Sequence, residues 1–480
     1  MIWVEIDCAP SVAFYRETGA RDSADADIVM QALTGVGTLR MPLSIPGVDS
    51  AENANITVTL DNADGRITRL FAHDPPIRAV GRIVSDDGDL FTGVVTSVTL
   101  SDTASISLES GLVRPLTDTL PLRAATVWGD FERVETLPIP YGRVTLAAVR
   151  YTDTAYLCAD CPIVGVDSVT VDGAQRLDWR HRNGVDSTGR AVAFVEFGAP
   201  IDVDSDVAVT LRGRPHPTTG ALMTAPDEIL WDVLSNVCGL PLTAAQLDDL
   251  RIECVGLEIG GVLADRTRSV RAQVDEIVQS IGGAWSAGAQ GLAMIFPLVD
   301  YGDRPTDVHV DRLTATEPAS ESTHADLATV VRLDYDHDWS TGEPSKSIEV
   351  VDAEGVRLYG RIETTLSASW LHSERMADAL ARRWLAWLTV PKWRVSWRSA
   401  DIGARPGDWA EIDHPRIPIT GRHRIVGVES DYDRLSATLS VLAQREPQTV
   451  VYPTPETEDI RVTESGDARI TEAGDTRVLE

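Results

Sequence analysis

The sequence predicts a mainly β, multi-domain protein: two β-barrel modules at the two ends of the chain, with a mixed β/helical insert between them. Three observations indicate this fold. Short segments alternate apolar and polar residues between tight turn signals near both ends. A helical period replaces that alternation after residue 225. A length of 480 residues, at roughly 150 residues per domain, allows about three domains.

The first module is predicted to cover residues 1–115. Asn55–Asp61 alternates with period two, and Asn62–Arg66 follows as a turn. Asp86–Asp89 is a hairpin signal that leads into a long strand over Leu90–Leu100. Short strands joined by tight turns are typical of a small barrel or sandwich.

The second stretch, residues 116–225, is also predicted to be β, with more proline and glycine. Leu137–Arg143 should be extended, because each proline disfavours helix in the residue before it. The sequence Val171-Asp-Gly173 ends an alternating run and indicates a hairpin.

Residues 226–300 change to a helical period. Thr224 is predicted to cap a helix that opens at Pro226, and Ser269 to cap a second one. A shorter helix is predicted for Ala244–Leu250.

The C-terminal part returns to β after a polar stretch over residues 301–330, which is predicted to be loop. One strong helix is expected from about Ser369 to Leu388, with a tryptophan-rich apolar face. Arg405–Asp408 is predicted to be a turn that leads into the last strands.

An eight-residue repeat occupies the end of the chain. Its copies begin at Arg461, Arg469 and Arg477, and each offers one short strand and one turn. Such a unit is too small to bury a core alone. Two interpretations stay open: a disordered acidic tail, or an array of strands that docks on a neighbour.

The predicted organisation therefore has five segments. They are an N-terminal β-barrel module (1–115), a β-rich module with a Cys-x-x-Cys (116–225), a helical or mixed module (226–329), a C-terminal β-barrel module with one helix (330–447) and the acidic repeat tail (448–480).

Charge limits the classes of partner. The chain has 43 basic and 73 acidic residues, a formal net charge of -30. Such a surface repels phosphate, which argues against a dedicated nucleic-acid binder or a protein of anionic membranes. No run of 18 apolar residues suggests a membrane anchor, and the start has no signal-peptide pattern, so we expect folding in a cytoplasm.

Catalytic motifs are missing from the sequence. It has no Gly-x-Ser-x-Gly elbow, no P-loop, no dinucleotide fingerprint after a strand and no His-Glu-x-x-His. Asp334–Asp338 is the one place where histidine and carboxylates cluster. On a regular strand Asp334, Asp336 and Asp338 would share one face and His337 the other, which favours a solvated strand face over a metal site.

Four cysteines form a candidate metal site. Cys158 and Cys161 stand in a Cys-x-x-Cys, Cys238 lies at the end of the helix predicted from Pro226, and Cys254 follows. A tight turn and a separate segment could supply the four thiolates of a zinc or iron–sulfur site. The spacing does not choose between these metals, and four buried cysteines without metal are the alternative. Five cysteines in a chain of this length do not make a disulfide scaffold.

Several stretches together resemble the baseplate hub, or tail-tip, proteins of long-tailed (siphovirus-type) bacteriophages and gene transfer agents. Ile56–Arg66 is similar to the strand and turn of their first barrel, and Leu90–Val95 to a strand of the same barrel. Leu137–Arg143 resembles the entry to their next module, Pro226–Leu234 their helical module, and Arg405–Asp408 the start of their last barrel. The likeness covers most of residues 50–445.

The resemblance implies a structural virion protein and not an enzyme. It implies a homotrimer in which two barrels per chain form a quasi-sixfold ring, stacked on a distal tail protein or on the tail-tube hexamer. Such a hub would close or extend the tail tube and adapt its sixfold symmetry to a threefold tip. It would be assembled in the host cytoplasm and reside at the tail tip of the virion.

Further partners and a cofactor follow from the same resemblance. Other tail-tip or central-fibre proteins and the tape-measure protein would be neighbours, and DNA would pass on ejection without specific binding. Some lambdoid tail-tip proteins carry a cysteine-ligated cluster, so a [4Fe-4S] cluster on Cys158, Cys161, Cys238 and Cys254 is suspected, with zinc or no metal as the alternatives. A rival function is a particle-associated cell-wall or polysaccharide hydrolase, which would need a carboxylate pair or a metal in a cleft.

Overall fold

The structure is a computed structural model that describes most of the chain up to residue 444 and two short strands beyond it. The described residues are 2–16, 26–42, 55–72, 74–86, 88–110, 116–240, 251, 254, 256–288, 291–295, 307–323, 327–444, 468–470 and 476–478. The helix predicted for Ala244–Leu250 lies outside them. The fold is mainly β, as the sequence predicts.

The N-terminal module is built from nine strands. They are β1 (Ile2–Asp7), β2 (Val12–Tyr15), β3 (Ile28–Gln31), β4 (Leu33–Val36), β5 (Thr38–Pro42), β6 (Asn55–Asp61), β7 (Val80–Ser85), β8 (Gly88–Thr99) and β9 (Thr103–Ser110). Eight of them form one sheet in the order β3-β2-β1-β7-β8-β9-β6-β4. Its two outermost strands, β3 and β4, are consecutive and separated only by Ala32, so the sheet closes on itself as the first barrel.

The middle of the chain contains fourteen short strands. They are β10 (Ala124–Val127), β11 (Asp130–Thr136), β12 (Ile139–Tyr141), β13 (Arg143–Ala147), β14 (Val149–Arg150), β15 (Ala155–Ala159), β16 (Gly165–Val171), β17 (Ala174–Arg176), β18 (Trp179–Val185), β19 (Ala191–Phe197), β20 (Val207–Arg212), β21 (Gly261–Leu263), β22 (Ala284–Gly288) and β23 (Gly291–Ile295). Two four-stranded sheets dominate, β13-β20-β16-β17 and β14-β15-β19-β18. Three two-stranded pairs, β10-β11, β12-β21 and β22-β23, complete this part.

The C-terminal part contains a second closed sheet and a smaller one. Its strands are β24 (Val308–Val310), β25 (Ala315–Thr323), β26 (Val330–Asp338), β27 (Glu343–Val351), β28 (Glu363–Ala368), β29 (Lys392–Ser399), β30 (Trp409–Ile412), β31 (Gly421–Asp431) and β32 (Ser436–Gln444). The larger sheet has the order β24-β30-β31-β32-β29-β25, and its outermost strands are again consecutive. The four residues 311–314 join its two outer strands, and we call this sheet the second barrel, while β27-β26-β28 forms a separate sheet.

The two barrels are joined by strand β5. The run β3–β4–β5 is continuous, and β5 leaves the first sheet to pair with β31 of the second, with Arg40 opposite Glu429. Leu39 and Met41 of β5 are buried in a hydrophobic cluster that contains core residues of both barrels. The predicted end modules thus share one core.

Five α-helices are described. They are α1 (Arg66–Phe71), α2 (Pro226–Trp231), α3 (Val270–Ser280), α4 (Ala353–Tyr359) and α5 (Glu374–Leu388), and α2 continues as a π-helical turn over Asp232–Val237. The Ser269 cap is confirmed, because its Oγ accepts a hydrogen bond from the amide of Ala272. The Thr224 cap is wrong: the N-cap of α2 is Ala225, without a side-chain bond, and Pro226 opens the helix. No described helix is long and apolar enough to cross a membrane.

One loop prediction is wrong. Residues 301–330 contain β24 and β25, which close the second barrel. Strand β25 is polar apart from Ala315, Pro318 and Ala319, and Ala315 is buried in the shared cluster, so the strand carries little local hydrophobic signal. Its pairing partner β29 lies about 80 residues later, as Ala315 opposite Ser399 shows. A pairing partner so far away in the chain cannot be recognised from the local alternation of apolar and polar residues.

The predicted segment boundary at residue 330 does not coincide with a division between hydrophobic clusters. Strands β26–β28 and helix α5 pack into the cluster of the middle modules, whereas β24, β25 and β29–β32 belong to the cluster of the first barrel. Residues 1–443 form one compact unit and residues 444–480 another. That the five segments fold as separate parts therefore stays a prediction.

The tail contains one hairpin. Strand β33 (Ala468–Ile470) pairs antiparallel with β34 (Thr476–Val478), and Arg469 stands opposite Arg477. These are equivalent positions of two repeat copies, so the repeat period sets the register. The first copy lies outside the described residues.

Candidate functional site

The predicted cysteine site lies around strand β15. Cys158 is in β15 and Cys161 in the turn that follows, and both are buried with Cys254 in the cluster of the middle modules. Cys238 packs against the same cluster from the end of the π-helical turn. Cys8 packs, partly buried, against the shared cluster of the barrels and not against that of the other four. All five are free thiols.

Burial makes these thiols poor sources of thiolate. It raises the pKa of Cys158 to about 12, and its Sγ donates a hydrogen bond to the carbonyl of Ala193 at 3.3 Å. Burial also raises the pKa of Cys161 to about 12, although the guanidinium of Arg214 acts in the opposite direction. Burial raises the pKa of Cys238 to about 11. Metal ligation needs the deprotonated form, so a metal would have to displace these protons.

The described side chains do not form a metal site as they are arranged. Among them, no group of three or more histidine, cysteine, aspartate or glutamate residues is placed to hold an ion. We derive no chemistry through a four-thiolate cluster here. The four-cysteine site, with iron–sulfur or zinc, stays a prediction.

A buried polar network lies beside Cys161 that sequence reasoning missed. Asp232 is fully buried at the start of the π-helical turn. Its carboxylate accepts hydrogen bonds from the hydroxyl of Tyr141 at 2.6 Å and the side-chain amide of Asn236 at 2.8 Å, and it pairs with Arg214 at 3.0 Å. The network joins β12, the segment after β20 and the helix. The helical period gave no signal for this network, because Asp232 lies outside the apolar stripe of Ile229, Leu230, Val233, Leu234 and Val237.

The Asp334–Asp338 cluster departs from the predicted alternation. Asp336 has a positive φ of 56°, in the left-handed region, although the register of β26 with β27 is the same before and after it. The strand is therefore not regular at the middle one of the three aspartates, and the alternation on which their shared face was predicted is interrupted there.

Asp336 lies between the side chains of His372 and Lys346. Its Oδ1 lies 2.9 Å from Nδ1 of His372, and its Oδ2 lies 3.0 Å from Nζ of Lys346. Burial acts to raise the pKa of this carboxyl, but the hydrogen bonds from His372 and Lys346 outweigh it and lower the pKa. Nε2 of His372 also lies 3.0 Å from the carbonyl of Gly260, so this histidine ties β26 to the segment before β21.

These residues line a polar cleft of about 670 Å³. Its walls also carry Glu258, His337 and Asp338. Asp338 accepts hydrogen bonds from the amide and hydroxyl of Ser340, and Asp336 is held ionised by its two partners. A glycosidase needs one carboxyl with a raised pKa to act as the acid. The pKa of Asp336 is lowered and not raised, so its contacts with His372 and Lys346 stabilise the fold and do not prepare a general acid.

Comparisons with known proteins gave structural neighbours only: no protein-family profile and no curated protein matches the sequence. A chain from the virion of a native gene transfer agent particle is 15% identical with a TM-score of 0.45, covering 69% of this chain and 89% of that one. A tail protein from Neisseria meningitidis MC58 is 8% identical with a TM-score of 0.46, covering 93% and 96%. The 43 kDa tail protein of prophage MuSo2 from Shewanella oneidensis is 8% identical with a TM-score of 0.46, covering 92% and 98%.

The chain is thus similar to phage tail proteins and to a chain of a gene transfer agent virion, the class that its sequence motifs resemble. At these identities and TM-scores the likeness carries no weight in assigning a role. A functional assignment has to come from the residues and the topology described above.

Proposed function

We propose that this chain is a structural tail component, the baseplate hub at the tip of a siphovirus-type tail. It would form a homotrimer that closes or extends the tail tube, adapts sixfold to threefold symmetry and lets DNA pass on ejection. The observation that carries the proposal is the shared topology of the two barrels. Each is closed by two consecutive segments at opposite ends of the sheet order. In each, the first closing segment pairs parallel with its neighbour and the second pairs antiparallel.

A chain with two barrels of the same closing topology is suited to form a quasi-sixfold ring. Three copies would supply six barrels, and the alternation of first and second barrels would retain threefold symmetry. Within one chain the barrels are already fixed to each other by β5 and by a common core. Such a ring would present a pseudo-sixfold surface to a distal tail protein or a tail-tube hexamer, and a threefold surface to central-fibre or other tail-tip proteins.

The charge of the chain supports passage of DNA without binding. A net charge of -30 repels phosphate and would let a duplex slide through a channel. The same argument leaves the tape-measure protein, which would occupy the channel before ejection, as a protein partner. We propose no enzymatic role, since Asp336 in the described cleft is held by His372 and Lys346 and its lowered pKa does not suit a general acid.

The test is to locate the chain and count its copies. Native mass spectrometry over a concentration series, together with cryo-electron microscopy of assembled tails, should show three copies of the 52.0 kDa chain in a ring at the tip. A variant that lacks residues 455–480 is the matched control and should still form the ring. Absence of the chain from purified particles, or a monomer bound away from the tip, would refute the proposal.

A further inference from the structure

The second barrel closes along a short seam between β24 and β30. The two strands run parallel over three residue pairs, Val308 with Ala410, His309 with Glu411 and Val310 with Ile412. At one end, the amide of Asp307 donates to the carbonyl of Trp409 at 3.0 Å. At the other end, the amide of Asp413 donates to the carbonyl of Val310 at 2.9 Å. So few bonds make the seam sensitive to any charge placed beside it.

Two carboxyl groups flank one end of this seam. Asp307 Oδ2 accepts a hydrogen bond from the amide of Trp409 at 2.9 Å. Asp408, the residue before Trp409, accepts one from the amide of Arg405 at 2.7 Å through its Oδ2. Backbone amides thus hold both carboxyl groups, that of Asp307 at Trp409 and that of Asp408 in the turn just before it. The two carboxyl groups are near enough at this end of the seam for the charge of Asp307 to act on Asp408.

The surroundings of Asp408 oppose its ionisation. Burial raises the pKa of its carboxyl to about 6, and the charges of Asp307 and Asp401 add to that rise. The hydrogen bond from the amide of Arg405 and the charge of its side chain act in the opposite direction without cancelling it. On the neighbouring strand β31, the guanidinium of Arg424 is bound to the carbonyl of Gly407. Further out, Arg422 of β31 lies 3.9 Å from Glu411 of β30, so these two charges face each other.

We propose that Asp408 and Asp307 form a proton-dependent latch that holds the seam of the second barrel more tightly in mild acid than at neutral pH. When Asp408 takes up a proton, its repulsion with Asp307 ends, and its hydroxyl becomes a hydrogen-bond donor. When it is ionised, its partly buried carboxylate is repelled by the neighbouring, exposed carboxylate of Asp307. This device is independent of the proposed function, since it concerns the closure of one barrel in any assembly.

The direction and size of the effect follow from linkage. The closed seam keeps a proton on Asp408 between about pH 4 and pH 6, where an open seam has released it. Closing therefore becomes less favourable as the pH rises through that range. With 3.8 as the reference value and about 6 in the closed seam, the closing equilibrium should be about tenfold more favourable at pH 5 than at pH 7.5.

Hydrogen–deuterium exchange of the full-length chain tests this latch. We expect the amides of residues 307–312 and 408–413, corrected for intrinsic exchange, to be about tenfold better protected at pH 5 than at pH 7.5. Asp408→Asn should abolish that difference and give high protection at both pH values, because the amide oxygen can still accept from Arg405. Asp413→Asn removes an exposed charge at the other end of the seam and should behave as the wild type.

A second variant keeps the test decisive if Asp408→Asn fails to fold. Asp307→Asn retains an acceptor for Trp409 and removes the opposing charge, so the pH at which protection changes should fall below that of the wild type. The same pH dependence in wild type and Asp408→Asn would overturn the proposal. An unchanged transition in Asp307→Asn would overturn it as well.

Discussion

Truncation of one leucine on strand β5 should loosen both barrels at once. Leu39 has no exposed surface and packs in the cluster that contains core residues of both barrels. Leu39→Ala leaves a cavity in a site that cannot collapse freely, and such changes cost about 3 kcal/mol of unfolding free energy. Since β5 pairs with residues 427–431 of β31, part of that loss should appear in the second barrel.

The assay is residue-level hydrogen exchange beside a matched variant. Leu60→Ala removes an equally buried leucine of the same cluster, from a strand that pairs only within the first barrel. We expect exchange at residues 427–431 to rise by up to about 100-fold in Leu39→Ala, the equivalent of about 3 kcal/mol. In Leu60→Ala the rise there should be smaller than in the first barrel. Identical exchange maps for the two variants would refute the view that β5 couples the barrels.

Three further predictions concern other parts of the chain. Arg123→Met should lower the unfolding free energy by about 2–3 kcal/mol in denaturant titrations, because it leaves the partly buried carboxylates of Asp160 and Asp186 without their shared cation; a loss below 0.5 kcal/mol would contradict this. Anaerobically purified protein should contain iron or, failing that, zinc by elemental analysis, and Cys158→Ser should lose it; the absence of both metals would show the four-ligand prediction to be wrong. Deleting residues 455–480 should leave the subunit folded and weaken attachment of a tail-tip partner, whereas insoluble protein would count against a docking role for the repeats.

Local sequence signals predicted local structure well. The strand Asn55–Asp61 has the predicted bounds, and Ser269 caps its helix, because period and capping depend on neighbours along the chain. The helix predicted from Ser369 begins instead at Glu374. Ser369 and Trp370 are used for long-range hydrogen bonds, the hydroxyl of Ser369 to Glu276 and the amide of Trp370 to Ser280. Such tertiary contacts override helix propensity and are not visible in the sequence.

The candidate sites were predicted less well, for the same physical reason. The sequence gives the spacing of the cysteines along the chain but not the distances between their sulfur atoms. In the structure they are surrounded by apolar side chains and a buried aspartate network. The role of Asp336 depends on its left-handed backbone and on His372 and Lys346, partners that come from outside its own strand. The latch at Asp408 depends on Asp307, about 100 residues earlier in the chain. Side chains brought together from distant positions carry no periodic signal.

Because β5 pairs with a strand of the second barrel, it is synthesised long before its partner. Arg40 is translated 389 residues before its partner Glu429. At roughly 5–20 residues per second, β5 would wait about 20–80 s for β31 to leave the ribosome. During that interval Leu39 and Met41 have no second barrel to enter, so the nascent chain exposes an apolar strand with a free edge. The second barrel is therefore completed late in synthesis, and any copy that stalls before residue 421 exposes β5 without its partner strand.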